Sequence, residues 1–146
     1  MLLGCSTPEQ RAVAAQILQE RIGVQPSADQ QALMWLNDET GVVEWVVGYN
    51  AFIGKTCQMH VVNMEGKTTP RKLIWAAFDY PFNQAGREVV FGVLNSENPH
   101  AVEYDKKLGF KEVHRIPGVH DDGGDIVLLQ MNKADCRWIK ERKNAL

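Results

Sequence analysis

Apolar residues recur at Val13, Ala14, Ile17, Leu18 and Ile22, the three- and four-residue spacing of one helical face. The stretch opens with Thr7-Pro8-Glu9-Gln10 and closes at Gly23. Thr7 is a capping residue, Pro8 suits the first helical position and Gln10 stands three after the cap, so a helix is predicted over about residues 8–22. Val24 to Gln30 is polar loop. The pattern then becomes extended. Ala32 to Asn37 and Val42 to Tyr49 are rich in β-branched and aromatic residues and are separated by Asp38-Glu39-Thr40-Gly41, which predicts a hairpin. After a turn at Gly54 and Lys55, Cys57 to Asn63 reads as another short strand.

The second half alternates the two periods. Thr69 to Phe82 carries Leu73, Ile74, Ala77 and Phe78 on one helical face and meets Pro81, where a regular helix does not readily continue. Val89 to Leu94 is a nearly continuous apolar run, the pattern of a strand covered on both faces. Asn98-Pro99 caps a second helix with Ala101, Tyr104 and Leu108 inward and Gly109 as its C-terminal cap. Phe110 to Ile116 and Ile126 to Met131 are predicted as two closing strands around the turn-rich Pro117 to Asp125. A short helix follows over about residues 134–142. The order predicts an α/β (α+β) fold with a mixed, mostly antiparallel sheet flanked by helices.

Composition narrows the partners. With 146 residues, 45% apolar and 23% charged, the chain is expected to form one domain over residues 1–146, its core at about residues 30–131. A net charge of -2 and a pI of 6.1 give no large positive field, so neither nucleic acid nor a membrane surface is indicated as a partner. Apolar stretches fall far short of the roughly 20 residues that cross a bilayer. MLLGC has the look of a lipoprotein box without a signal region ahead of it, and a cytoplasmic location is expected. Cys5, Cys57 and Cys136 are odd in number and unrelated in spacing, which argues against a disulfide framework and for a reducing compartment. Cys57 reads as a small buried hydrophobe. His114, His120, Asp121, Asp122 and Asp125 lack a ligand pattern and read as a solvated hairpin, not a metal site.

The stretch VVFGVLNSENPHAVEYDKKLGF, Val89 through Phe110, closely resembles the second half of the GNAT acetyltransferase domain. The match rests on Asn98, Ala101, Lys107, Leu108, Gly109 and Phe110: a buried strand, an Asn-x-x-Ala helix and a Lys-Leu-Gly-Phe ending. The resemblance implies a GNAT-like sheet splayed between its fourth and fifth strands, with acetyl-CoA as cosubstrate. The family's phosphate-holding turn, usually similar to RGKGIG, corresponds to EGKTTP, Glu65 to Pro70. Gly66 and Lys67 agree with the pattern. Glu65 stands for the arginine, Thr68 for a glycine, and Pro70 for another glycine while removing an N–H donor. Acetyl-CoA binding is therefore expected to be weakened or lost, except as the Thr68 and Thr69 hydroxyls and Lys67 restore donors and charge.

The resemblance also assigns roles. Backbone groups near His60, Val61 and Val62 would hold the pantetheine arm, with Gly66, Lys67, Thr68 and Thr69 at the diphosphate. Asn98 caps its own helix and in the family also touches the cofactor, and Asn95, just beyond a buried strand, reads either as a ligand contact or as a strand-ending turn. His60 is the first candidate base, Glu44 the second. The position where many family members carry a leaving-group tyrosine falls on Asp105, and Tyr104 lies about 100° away around the helix. An ionised aspartate cannot donate that proton unless burial raises its pKa. Taken with VGYNAFIGKTCQMHVV, WAAFDYPFNQAG and MNKADCRW, the chain resembles a phage-encoded GNAT-like branch. Two functions follow from the resemblance. One is acetyl transfer from acetyl-CoA to an amine acceptor. The other is a virion or head-assembly role in which the fold is a non-catalytic interaction module among phage structural proteins.

Overall fold

The computed structural model describes residues 1–140. In chain order it contains β1 (Leu2–Gly4), α1 (Pro8–Ile22), β2 (Gln31–Leu36), β3 (Val43–Ile53), β4 (Thr56–Asn63), α2 (Arg71–Asp79), β5 (Val89–Asn95), α3 (Pro99–Leu108), β6 (Lys111–Ile116) and β7 (Ile126–Asn132). The strands form one seven-stranded sheet in the order β1-β2-β3-β4-β5-β7-β6. Neighbours are antiparallel except β4 and β5, which run parallel because α2 crosses between them. This is the GNAT-like α/β arrangement predicted, with the fourth and fifth strands at its centre.

Helices cover the sheet unequally. α1 starts with the expected capping box, Thr7 accepting from the Gln10 N–H and Gln10 reaching back to the Thr7 N–H. It packs on β2, β3 and β4. At Gly48 any Cβ would stand 2.5 Å from Leu18 Cδ1, so glycine there lets the helix approach the sheet. Ala14 and Leu18 are buried, but Val13 and Ile22 are exposed, a narrower face than their spacing predicts. On the opposite face α2 and α3 share a core with Tyr49, Cys57, Val90 and Leu129. Phe78 lies at its centre, its ring centroid 6.3 Å from Phe82 and 5.9 Å from Phe110.

Four further expectations change. The central helix ends at Asp79, and Tyr80–Gln84 form a π turn in which the Ala85 N–H reaches the Tyr80 carbonyl at 2.8 Å. Pro81 causes this: it has no N–H for the α ladder, so the chain takes the wider turn. β5 is not covered on both faces, because α1 reaches only to β4; Val90 is buried while Val93 is exposed. In α3 the inward residues are Val102 and Leu108, with Tyr104 only half-buried. The predicted C-terminal helix becomes a short 3-10 turn, Lys133–Asp135, and a helical stretch at 137–140; the remainder lies outside the described residues. α3 stops at Gly109 as expected. Its φ of 118° suits glycine, and a Cβ there would meet Met131 Cε at 3.1 Å.

Candidate functional site

β4 and β5 are paired only at Thr56 with Val89, Cys57 with Val90 and Gln58 with Phe91. Beyond that point each follows its other neighbour. β4 stays in register with β3 out to Asn63, and β5 with β7 out to Asn95. Sheet twist then draws the two strands apart. Met59–Asn63 form one wall of the resulting gap and Gly92–Asn95 the other. His60, Val61 and Val62 therefore lie on the β4 wall. Side chains alternate across it: Met59 and Val61 join the core under α2 and α3, while Val62 joins the core under α1.

His60 faces the α1 side. It stands opposite Gly48 in the ladder, and Leu18 fills the space a side chain at 48 would take. Burial lowers the imidazole pKa to about 4, so the ring is neutral at pH 7. Its Nε2 lies 2.8 Å from Asn50 Oδ1. A pKa this low makes His60 a weaker proton acceptor than an exposed histidine.

Asp105 approaches the gap from the other face. Its Oδ2 is 3.3 Å from where a Cβ on Gly92 would sit, so the glycine makes room for the carboxyl just past the last β4–β5 pair. Burial pushes this carboxyl up to about 7. The objection that an aspartate cannot donate a proton is thus removed by its surroundings: near neutrality a large fraction of Asp105 is protonated. Tyr104 turns away to hydrogen-bond Thr69 Oγ1, and burial raises its phenol pKa. That contact joins α3 to the turn before α2.

The turn itself is organised by carboxylates. Lys67 Nζ pairs with Glu44 and lies 3.1 Å from Glu65. Its backbone is clamped by Asn63, which donates to the Lys67 carbonyl at 2.8 Å and accepts from its N–H at 3.2 Å. Glu44 is buried, and the Lys67 hydrogen bond holds its pKa below the ordinary value. A carboxylate held so firmly ionised is poorly suited as a base, so its place is that of an anchor for the turn. Gly66 takes a left-handed φ of 66°, and Gly66, Lys67 and Thr68 are exposed. Pro70 precedes α2 without a side-chain cap, and Arg71 and Lys72 occupy the first turn.

Asn98 caps α3, accepting from the Ala101 N–H at 3.3 Å. Asn95 accepts from the Glu97 N–H at 3.0 Å and donates to Asp122 at 2.7 Å, tying the end of β5 to the β6–β7 loop. Asn95 ends the β5 wall and Asn98 follows three residues later, each with local structural partners. Sequence reading missed Asn50 and Gly92. Each carried a signal: an amide in the middle of β3 and a glycine inside the apolar run of β5.

No family model matches the sequence, and no curated protein is similar to it at a significant level. Its fold does match solved structures. A chimera of Vibrio cholerae spermidine N-acetyltransferase SpeG and hSSAT superposes with a TM-score of 0.73 at 14% identity, over 95% of this chain and 99% of that one. The V. cholerae enzyme in complex with CoA and spermine gives 0.71 at 14% identity, over 94% and 97% of the two chains. A dodecameric form of that enzyme gives 0.72 at 14%, over 92% and 94%. At such identity the likeness is one of fold.

Proposed function

We propose that residues 1–146 act as one domain that binds an acyl-CoA thioester in the β4–β5 gap and transfers the acetyl group to an amine. The observation that carries this reading is the parting of the two parallel strands beneath Asp105, at a glycine that makes room for its carboxyl. An extended arm laid between the walls would complete the sheet, its amides meeting peptide groups of Met59–Asn63 and Gly92–Asn95. The likeness to amine acetyltransferases, one of them complexed with CoA, supports the same choice of cosubstrate.

Chemically, the amine nitrogen attacks the thioester carbonyl carbon, the C–N bond forms and the C–S bond breaks. Gap-lining N–H groups polarise the carbonyl oxygen. Neutral His60, on the α1 face, takes the amine proton directly or through water. Protonated Asp105, on the α3 face, gives its proton to the leaving thiolate. Lys67, Gly66, Thr68 and Thr69 lie where the diphosphate would sit, with Asn95 and Asn98 at the rim.

A second reading is favoured by the turn. With Lys67 matched to two carboxylates and Thr69 joined to Tyr104, the anchoring end is self-satisfied, as suits an interaction module within a phage particle. Calorimetric titration with acetyl-CoA separates the readings. Saturable heat that S-acetyl hydrolysis or transfer accompanies supports the enzyme. Absence of heat and of any thermal shift at millimolar ligand, with co-purification in assembled particles, supports the module.

A further inference from the structure

His60 and Asn50 occupy diagonal positions on adjacent antiparallel strands, since Gly48 pairs with His60 and Asn50 with Gln58. Diagonal neighbours lie about 7–8 Å apart at Cα, within reach of two long polar side chains. The residue after Asn50 is unusual. Ala51 has φ of 51°, a left-handed conformation disfavoured by any residue with a Cβ, and the ladder resumes only at Ile53 with Thr56. The bulge is held from outside, Asp29 accepting from the Phe52 N–H at 3.0 Å while the Ser27 hydroxyl donates to Asp29 at 2.6 Å. β3 thus bends at the point where its one inward amide meets the one imidazole of the gap wall.

We propose that Asn50 is a positioning residue for His60: its side-chain oxygen accepts the Nε2 proton and holds the ring in the tautomer whose bare nitrogen is Nδ1. With Asn50 Oδ1 facing the ring at 2.8 Å, an oxygen that only accepts pairs with an Nε2 that carries the hydrogen. The free lone pair is then confined to Nδ1, the nitrogen able to receive a proton. No charged side chain contributes to the shift of the ring, which burial alone causes, and Gly48, its cross-strand partner, brings no polar side chain. The inference rests on the reading of His60 as base. The backbone distortion at Ala51 has the character of strain kept beside a working side chain.

Two-bond nitrogen–proton correlation spectra of the full-length ¹⁵N-labelled chain at pH 7 report each histidine tautomer, with the other three histidines as internal references. The wild type is expected to show His60 protonated at Nε2. Asn50→Leu, which keeps bulk without an acceptor, is expected to mix the two tautomers, and Asn50→Asp, which keeps an acceptor oxygen, to retain Nε2–H. In turnover, Asn50→Leu is expected to lower kcat about tenfold, the value of one hydrogen bond, with KM for acetyl-CoA unchanged and with recovery in Asn50→Asp. Asn50→Ala serves if the leucine variant does not fold. A wild-type ring protonated at Nδ1, a tautomer indifferent to Asn50, or an unchanged kcat in a variant of mixed tautomer overturns the proposal. Because the tautomer is read without substrate, a chain that never turns over acetyl-CoA fails the acyl-transfer reading alone.

Discussion

The two ends of the candidate site treat charge in opposite ways. Where β4 and β5 part, burial drives both titratable groups toward their uncharged forms: His60 down to about 4 and Asp105 up to about 7. One physical cause yields shifts of opposite sign, since desolvation penalises whichever form is ionised. At the anchoring end, in the turn from Glu65 to Pro70, charges are kept and matched, Lys67 lying between Glu44 and Glu65. Where the strands part, the site therefore holds a neutral imidazole and a partly protonated carboxyl on opposite faces of the sheet. The end that should meet a diphosphate offers a cation already occupied. If the chain is a catalyst, its selectivity for the cosubstrate comes more from the arm between the strands than from the phosphates.

Asp105→Asn probes the reacting end with the largest expected effect. The amide keeps size and burial but has no proton to give, so kcat is expected to fall by about 10²-fold, with acetyl-CoA affinity within about twofold of wild type. The wild-type rate should decline above pH 7 as Asp105 ionises, and this alkaline limb should vanish in the variant. Steady-state rates between pH 5 and 9, beside calorimetric affinities, test both statements. An unaltered kcat would reduce Asp105 to a buried side chain and dissolve the contrast between the two ends.

Stability against pH sharpens the contrast without any substrate. For His60 the folded value, about 4, lies below the ordinary 6.5, so the unfolded chain binds the extra proton between them. This contribution makes the fold more stable as pH rises from about 4 to 6.5. For Asp105 the folded value, about 7, lies above 3.8, and the folded chain holds the extra proton. Its contribution is present below the unfolded value and is lost as pH rises to about 7. In the wild type the two slopes oppose each other. Asp105→Asn should leave the rising one and His60→Gln the falling one, each below about 1.4 kcal/mol per pH unit because both groups remain partly exposed. Denaturant titrations at pH 4.5, 5.5 and 6.5 measure the differences; parallel curves for all three proteins would mean that neither group is shifted by burial.

Much of this was legible in the residues, for definable reasons. The capping box at Thr7, the glycine after Leu108 and the periodicity of each element are local signals, and the helices and strands follow them closely. The splay was expected from the resemblance that Val89 to Phe110 carries, and β4 and β5, paired at three positions only, fit it. What escaped depends on long-range approach. That Asp105 would be lifted to about 7 requires knowing that α3 settles over Gly92, 13 residues earlier. That Glu44 would serve Lys67 requires the turn to fold back across β3, bringing together residues 23 apart in sequence. Apolar spacing overstated the buried face of α1 and the cover on β5 for the same reason: a pattern records what can be buried, whereas the reach of α1 decides what is.

The smallest effect is expected at the anchoring end. Glu44→Gln removes one of the two carboxylates around Lys67 and leaves an amide able to accept from the ammonium, so the turn keeps its shape while its local charge becomes more positive. Affinity for CoA is expected to rise about threefold at low salt, since Lys67 is half exposed and its field is screened within roughly 10 Å at 0.1 M ionic strength. The gain should shrink as salt is added and should be absent for a ligand lacking the diphosphate, such as an S-acetylated pantetheine. Calorimetry with both ligands at two ionic strengths checks it. Equal enhancement for both ligands would show that Glu44 acts on the gap itself, whereas weaker CoA binding would mean that the Glu44–Lys67 pair shapes the turn for the phosphates, and the charge-matched anchor would have to be read as a built receptor.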